Sequence, residues 1–591
     1  MIERKDQKKE NTWDLSALAA NSAEWEKEMK ELESKVDTLE EYKDKMALSS
    51  DNFHNALVTL FDYEEKAEKV LSWAFLNYSV DSANPEVMQW AGLANMLEAK
   101  INEKTSWMRP VLMSMKQEDI ESYLKEDRNK DYRIFIQKQL RMKEHVLSEK
   151  EERLLSLYSA NSSGYQQAFM DANNIDLDFG YIGDEKLTHS TFAKFIRSKD
   201  EKIREQAYKQ LYKEYEKHQH VLGRIFEGSI KNDIFEAKAR GFNSALEAAL
   251  FPDNVPKTVY TSLIENVHKA FPILHRYYAL RAKMMGKEKL KHYDVYTAIV
   301  PEVNSKHTYA EAVSLIKEAV KPLGEDYSEI LVKGLTTERW VDRYENKGKR
   351  SGAFSAGGFI GNPYILTNFE EDVLDSVFTL IHEGGHSMHS YFSSHNNPFP
   401  HYNYTIFEAE VASTFNENLL SAYMIKNAKS KGEEAYLIAK NIDDIVATFF
   451  RQTMFAEFEM LLHDKGENGV PLTIDTMRKT YRELLEAYFG PTLEFEENSD
   501  MEGLRIPHFY NAFYVYKYAT GIAASIALSQ RVLNGGKEEK DDYLSFLKSG
   551  GSRYPIEALK VAGVDMSKPD AVIATTKHFE SLINRLEELT K

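Results

Sequence analysis

Apolar residues recur every three or four positions through most of the chain, the spacing of helices that bury one face and solvate the other. Trp25, Met29, Leu32, Val36, Leu39, Tyr42 and Met46 predict one amphipathic helix. Glu31–Lys35 and Glu41–Lys45 are i,i+4 pairs on its polar side, each worth a few tenths of a kcal/mol. A second helix is predicted from near Thr258, just after Pro256, through Val259, Leu263, Val267, Phe271, Leu274 and Tyr278. A third runs from about Asp443 to His463 on Ile445, Phe449, Met454, Phe458 and Leu461. Only between about Gly352 and Phe369 does the pattern change. There Gly352, Gly357, Gly358, Gly361 and Pro363 punctuate short apolar segments, which predicts a small sheet containing a hairpin. Phe179-Gly180-Tyr181-Ile182-Gly183-Asp184 interrupts the helices and marks a boundary near 180–205. The expected fold is mostly α-helical, with a helical N-terminal region over 1–200 and a second region over 201–591.

Composition narrows the function. The 591 residues are 42% hydrophobic, ample for a large core, and 75 basic against 93 acidic side chains give 75 − 93 = −18. That balance argues against a phosphate-backbone partner, which needs a cationic face. There is no cysteine, hence no disulfide, thiolate metal site or cysteine nucleophile, in keeping with a reducing cytoplasm. Met1-Ile2-Glu3-Arg4-Lys5-Asp6 is charged with no apolar run behind it, and nowhere do 18 apolar residues follow one another. Neither a secretory signal nor a membrane span is expected, and the expected setting is cytoplasmic.

The chemistry concentrates in one place. Five of the 17 histidines, His382, His386, His389, His395 and His401, fall within twenty residues, where an even spread would put fewer than one. The cluster opens with His382-Glu383-Gly384-Gly385-His386, after the apolar lead-in Val373 to Ile381, in which Asp375 or Ser376 is a candidate helix cap. On a helix, positions i and i+4 share a face, so two imidazoles can hold one Zn²⁺ while the intervening glutamate reaches a water in the open coordination position. A third ligand is required, and with no cysteine it must be His, Asp or Glu. Thr405 to Glu417 reads as a second helix, capped by Thr405, with Glu408, Glu410 and Glu417 as candidates. Glu410 and Glu417 are two turns apart on one face, so one can bind metal while the other orients a histidine; spacing alone does not choose.

The combination of motifs resembles oligoendopeptidase F, a branch of the thimet oligopeptidase family of zinc metallopeptidases. It is carried by His382-Glu383-Gly384-Gly385-His386-Ser387-Met388-His389 and by Glu410-Val411-Ala412-Ser413-Thr414-Phe415-Asn416-Glu417. Gly348 to Phe354, Pro507-His508-Phe509-Tyr510 and Thr12-Trp13-Asp14-Leu15 add to it. The resemblance implies one Zn²⁺ per chain held by His382, His386 and Glu410, with Glu383 as general base. It implies that a histidine and tyrosines between 508 and 518 bind substrate and steady the oxyanion, with His508 and Tyr510 first and Tyr514 and Tyr516 after them; a core helix edged by tyrosines is the plainer reading of that stretch. It implies a strand near Gly352–Phe369 that contacts the substrate backbone, and a deep channel, with zinc at its floor, that admits short peptides and excludes folded proteins. Gly384 departs from thimet-type relatives, which carry a bulky residue there; two adjacent glycines inside a helix admit close packing of another backbone.

The expected function is zinc-dependent hydrolysis of internal bonds in short oligopeptides, with no nucleic-acid or membrane partner. An exopeptidase using the same zinc site is the alternative. Ser355 to Gly361 lacks both the P-loop and the G-x-G-x-x-G spacing, so no nucleotide is expected. Asp171 to Gly180 breaks the spacing of a calcium loop. His292, in Lys291-His292-Tyr293-Asp294-Val295-Tyr296, lies in a segment that resembles the family but has no clear chemical role, and His275 and His463 are read as surface or satisfied core residues.

Overall fold

The computed structural model describes residues 2–301 and 306–591, less the side chains of 149 and 159–162. It is 71% helical and 3% strand, the mostly α-helical architecture with small sheets that the periodicity predicts. The chain divides into two units, each built from three separate segments: Met1–Glu144, Asn304–Met424 and Ser525–Val564 form the first, and His145–Val303, Ile425–Ala524 and Asp565–Lys591 the second.

In the first unit, helix α1 (Ser22–Lys35) starts where the Asn21 side chain accepts the Glu24 N–H at 3.0 Å. It buries Trp25, Met29 and Leu32 against helix α2 (Ser50–Val80). Trp25 stacks on Trp73 with centroids 5.3 Å apart and donates its indole N–H to the Val70 carbonyl. The predicted single helix through Met46 is not continuous: after Lys35 the backbone tightens into 3-10 turns at Val36–Glu40 and Met46–Leu48, which still bury Val36, Leu39 and Met46. Three helices and a small sheet carry the site. Helix α3 (Glu325–Leu335) precedes a three-stranded sheet of β1 (Val341–Asp342), β2 (Phe354–Ala356) and β3 (Tyr364–Leu366). Central β3 pairs parallel with β1 and antiparallel with β2, Ser355 lying opposite Ile365. This is the expected hairpin, and its β2 is an edge strand. The Thr12–Leu15 segment lies along the approach to β1, where Asp14 N–H donates to the Arg339 carbonyl and Arg339 pairs with the Asp14 carboxylate at 3.0 Å. Helices α4 (Leu374–Asn396) and α5 (Ile406–Lys426) follow.

The second unit is also helical. The helix predicted from Thr258 to Tyr278 is two, Lys257–Lys269 and Phe271–Met284, broken at Ala270, with Pro272 tolerated because it falls in the first turn of the second. The Asp443–His463 stretch contains a π turn at Val446–Phe450, from which helix α6 (Arg451–Glu467) continues. The Phe179–Asp184 interruption is a minimal hairpin, Tyr181–Ile182 against Glu185–Lys186. Buried charges pair inside this unit: Arg204 with Asp294 at 2.6 Å and Arg451 with Glu502 at 2.6 Å. Helix α7 (Tyr516–Asn534) closes the residues taken up below. No helix among the described residues is long and apolar enough to cross a membrane.

Candidate metal centre

The H-E-x-x-H segment lies in the middle of α4, flanked by buried Val377, Leu380, Ile381 and Met388. The start of that helix differs from expectation: Val373 occupies the cap position without a side-chain cap bond, and the Ser376 hydroxyl instead accepts the Glu370 N–H at 3.0 Å. The glycines set the depth of the centre. A Cβ on Gly385 would stand 2.6 Å from the Ala412 carbonyl oxygen and 2.7 Å from the Ser413 Cα, so the backbones of α4 and α5 touch there. That close approach brings the glutamates of α5 over the histidines of α4. At Gly384 the neighbour is only the end of the Leu331 side chain in α3, 3.1 Å from an added Cβ.

Three glutamates competed for one role in the sequence, and the geometry separates them. Glu408 turns back on its own helix start: its carboxylate accepts the Thr405 N–H at 3.0 Å and the Thr405 hydroxyl at 3.1 Å, capping α5. Glu410 Oε2 stands 3.7 Å from His382 Nε2 and 3.9 Å from His386 Nε2. Glu417 is hydrogen-bonded to His382 Nδ1, fixing that ring so that Nε2 faces Glu410. Among the described residues, His382, His386 and Glu410 form the one cluster of three such donors, with one ligand atom from each lying within 4.8 Å of the others. A tetrahedral ion with ligands at about 2.1 Å needs donors about 3.4 Å apart, and both distances to Glu410 are within a few tenths of an ångström of that, so a donor set of two imidazoles and a carboxylate fits Zn²⁺.

Glu383 is buried on the same turn, and the backbone of Ser355 in edge strand β2 lies close enough to its carboxylate to favour the charged form slightly. Ser355 Oγ also meets Ser387 Oγ at 2.8 Å, so the strand is fastened to the helix beside the glutamate. Burial first, then the nearby Glu410 and Glu417 carboxylates, push Glu383 up to about 7, against the pull of His382. Burial opposes charge on His382, yet the bond to Glu417 outweighs it and raises the ring to about 9. Burial and the neighbouring His382 push His386 down to about 3.

The other histidines have ordinary roles. His389 is buried and stacks on Tyr404 at 3.6 Å, His401 bonds the Asp131 carbonyl, and His395 bonds Tyr391 one turn back. His463 lies between the Glu459 carbonyl and Asp233, His275 meets the Ala487 carbonyl, and buried His292 meets the Tyr208 hydroxyl at 2.8 Å.

The 508–518 stretch belongs to the second unit and is not one helix. A 3-10 turn at Pro507–Tyr510 leads into a loop in which Phe513 has φ 58, and α7 begins only at Tyr516. The loop gathers His508, Tyr514 and Tyr518: the ring centroids stand 6.3 Å apart for His508–Tyr514, 6.0 Å for His508–Tyr518 and 5.4 Å for Tyr514–Tyr518. Tyr510 instead stacks on Phe169 at 4.4 Å, and Tyr516 is buried against Tyr260 at 5.1 Å. Burial raises both of those phenols above the ordinary range. Tyr518 is one of the four tyrosines of that stretch among which the sequence leaves the choice open, whereas no local pattern points to Ser355.

Two histidines one turn apart, a buried glutamate between them and a third donor from a crossing helix define a metallopeptidase centre. The chain belongs to peptidase family M3, whose sequence pattern matches residues 194–578, and residues 112–179 match that of oligopeptidase F. It is by that membership a metallo-oligoendopeptidase. A Borreliella burgdorferi protein named oligoendopeptidase F homolog is 41% identical over 591 residues, 100% of both chains. Among solved structures, a putative peptidase from Chlamydophila abortus is similar with a TM-score of 0.94 at 34% identity, covering 100% of each chain. Oligoendopeptidase-F from Enterococcus faecium is similar with a TM-score of 0.74 at 33% identity, covering 96% of this chain and 99% of its own.

Proposed function

We propose that this chain hydrolyses internal peptide bonds of short oligopeptides in a zinc-dependent reaction with Glu383 as general base. The observation that carries the reading is the convergence of His382, His386 and Glu410 beside a buried carboxylate on the same helical turn. The three would hold one Zn²⁺. When bound, that ion supplies a Lewis acid that polarises the scissile carbonyl and eases the ionisation of water. Glu417 holds Nδ1 of His382, leaving its Nε2 lone pair for the metal side. Glu383 takes one proton from the attacking water onto a carboxylate oxygen as the carbon–oxygen bond forms. It then returns that proton to the leaving nitrogen as the carbon–nitrogen bond breaks.

His508 and Tyr514, with Tyr518 beside them, are the proposed donors to the oxyanion, a role for which N–H and O–H groups held in advance are suited. Tyr510 and Tyr516, from the same stretch, back that loop through ring packing. Edge strand β2 offers backbone groups to which an extended peptide adds as another strand, which gives affinity without dependence on side chains. The proposal keeps 201–591 as the catalytic region behind a helical region 1–200, a channel that excludes folded proteins, and a cytoplasmic setting.

Cleavage of an end-blocked, internally quenched octapeptide, beside a folded protein as control, tests it. Internal cleavage of the peptide alone by the zinc-loaded enzyme supports the reading. Cleavage that requires a free terminus makes the chain an exopeptidase. Glu383→Gln should retain zinc while kcat falls at least about 10²–10⁴-fold; loss of zinc instead would mean that Glu383 is a ligand.

A further inference from the structure

One buried acid in the second unit has no part in the chemistry above. Glu459 of α6 is 1% exposed. Its Oε1 accepts the Phe513 backbone N–H at 3.0 Å, while Oε2 has no hydrogen-bond partner. A carboxyl group without a cation or a second donor is costly to keep in a core, so its single bond needs a reason. The partner supplies one. Phe513 is at φ 58, a left-handed conformation that bulky residues rarely adopt and that persists only where the surroundings over-determine it. Its ring is held as firmly as its N–H, tilted against His463 at 4.5 Å and edge-on to Tyr260 at 5.9 Å. The next residue is Tyr514, whose ring stands with His508 and Tyr518.

We propose that Glu459 is a positioning residue for peptide hydrolysis: by holding the Phe513 N–H it fixes the left-handed turn that sets Tyr514 against His508 and Tyr518. The inference rests on the reading of that cluster as oxyanion donors. Without the Glu459 acceptor, Phe513 relaxes toward ordinary backbone angles and carries the Tyr514 hydroxyl with it, whereas the zinc ligands are untouched. Burial pushes the Glu459 carboxyl far above the usual carboxylate range, so it works as a neutral acceptor that an amide can copy.

The test uses the zinc-loaded full chain and four variants, Glu459→Leu, Glu459→Asp, Glu459→Gln and Tyr514→Phe. It reads kcat and KM separately on the quenched peptide, zinc content, and hydrogen exchange of a peptide spanning 508–518. The leucine variant removes the acceptor, and the shorter aspartate withdraws it from Phe513. Both should lower kcat about 10–100-fold, the cost of a misplaced group, with KM and zinc near wild type and faster exchange in the loop. Glu459→Gln should restore slow exchange and most of kcat. If the leucine variant does not fold, the aspartate and glutamine variants decide between them. Wild-type kcat in Glu459→Asp, or an equal loss in Glu459→Gln, overturns the proposal. Full kcat in Tyr514→Phe would instead remove Tyr514 from the reaction and take the proposal with it. An impaired Tyr514→Phe beside fully active Glu459 variants would overturn the proposal alone.

Discussion

Glu417 touches the centre only through His382, yet it determines which nitrogen of that ring is offered. A carboxylate on Nδ1 fixes both the tautomer and the ring plane, and partners of this kind are commonly worth 10–100-fold in metal affinity. Glu417→Gln, which keeps volume and removes the charge, should therefore weaken zinc binding by about 10–100-fold in competition against a chromophoric chelator. Glu408→Gln should leave zinc affinity unchanged, because its carboxylate is engaged by Thr405 at the helix start. A reversal of the two results would mean that α5 is placed in the wrong register. The seven-residue spacing puts Glu410 and Glu417 on one face and made legible that one of them orients a histidine, as Glu417 does His382, leaving the other for the proposed metal. The role of Glu408 was equally written in Thr405-x-x-Glu408, a helix-start signature, but as a capping signal it competes with the metal reading until the side chains are seen.

At the scale of elements, the centre exists because two helices touch backbone to backbone. Gly385→Ala places a methyl carbon 2.6 Å from the Ala412 carbonyl oxygen, and only a shift of α5 relieves it. The variant should lose zinc affinity and most activity while remaining helical by circular dichroism. Gly384→Ala meets only the end of the buried Leu331 side chain, which must give by a few tenths of an ångström, and gains helix propensity of up to about 1 kcal/mol, so it should bind zinc normally and unfold at nearly the same temperature. The sequence signalled a close approach at these glycines without saying which of them made it, since both are helical and both are buried. Helix periodicity was otherwise a good guide to which residues are buried and a poor one to continuity. The α-helix gives way after Lys35 and at Ala270, and passes through a π turn at Val446–Phe450, while buried apolar residues continue on both sides. The 508–518 stretch was the least legible, for a definite reason. A left-handed Phe513 resets the direction of every side chain after it, so faces counted by helical spacing from His508 do not carry through to Tyr514 or Tyr516.

At the scale of the whole molecule, the chain builds each unit from three segments, and no local pattern announces that division, because it is set by contacts between distant segments. The division separates two kinds of acid sensitivity. All proposed metal ligands and all six tryptophans lie in the first unit, whereas the second holds a buried ionic core around His292, Arg451 and Glu502. Burial pushes His292 from 6.5 down to about 4, so the folded protein keeps it neutral where the unfolded chain is already protonated. The stability this gives is present in full above pH 6.5 and is lost as pH falls toward 4, a change of roughly 3 kcal/mol. Burial would raise Glu502, but Arg451 and its neighbours hold it down at about 2, so its contribution is full above its ordinary value of 4.5 and is lost as pH falls from there toward 2. Between pH 6.5 and 4 the histidine therefore dominates in this core. His292→Gln should flatten the loss of protection over that window in the Glu201–Lys217 helix, whose Tyr208 bonds the ring, as read by hydrogen exchange on metal-free protein. Zinc added at constant pH should instead raise the temperature of the tryptophan-emission transition, because binding to the folded form stabilises the unit that contains the ligands. An unchanged pH slope in His292→Gln would show that the ring is already charged in the folded protein and that its bond to Tyr208 is made by the imidazolium.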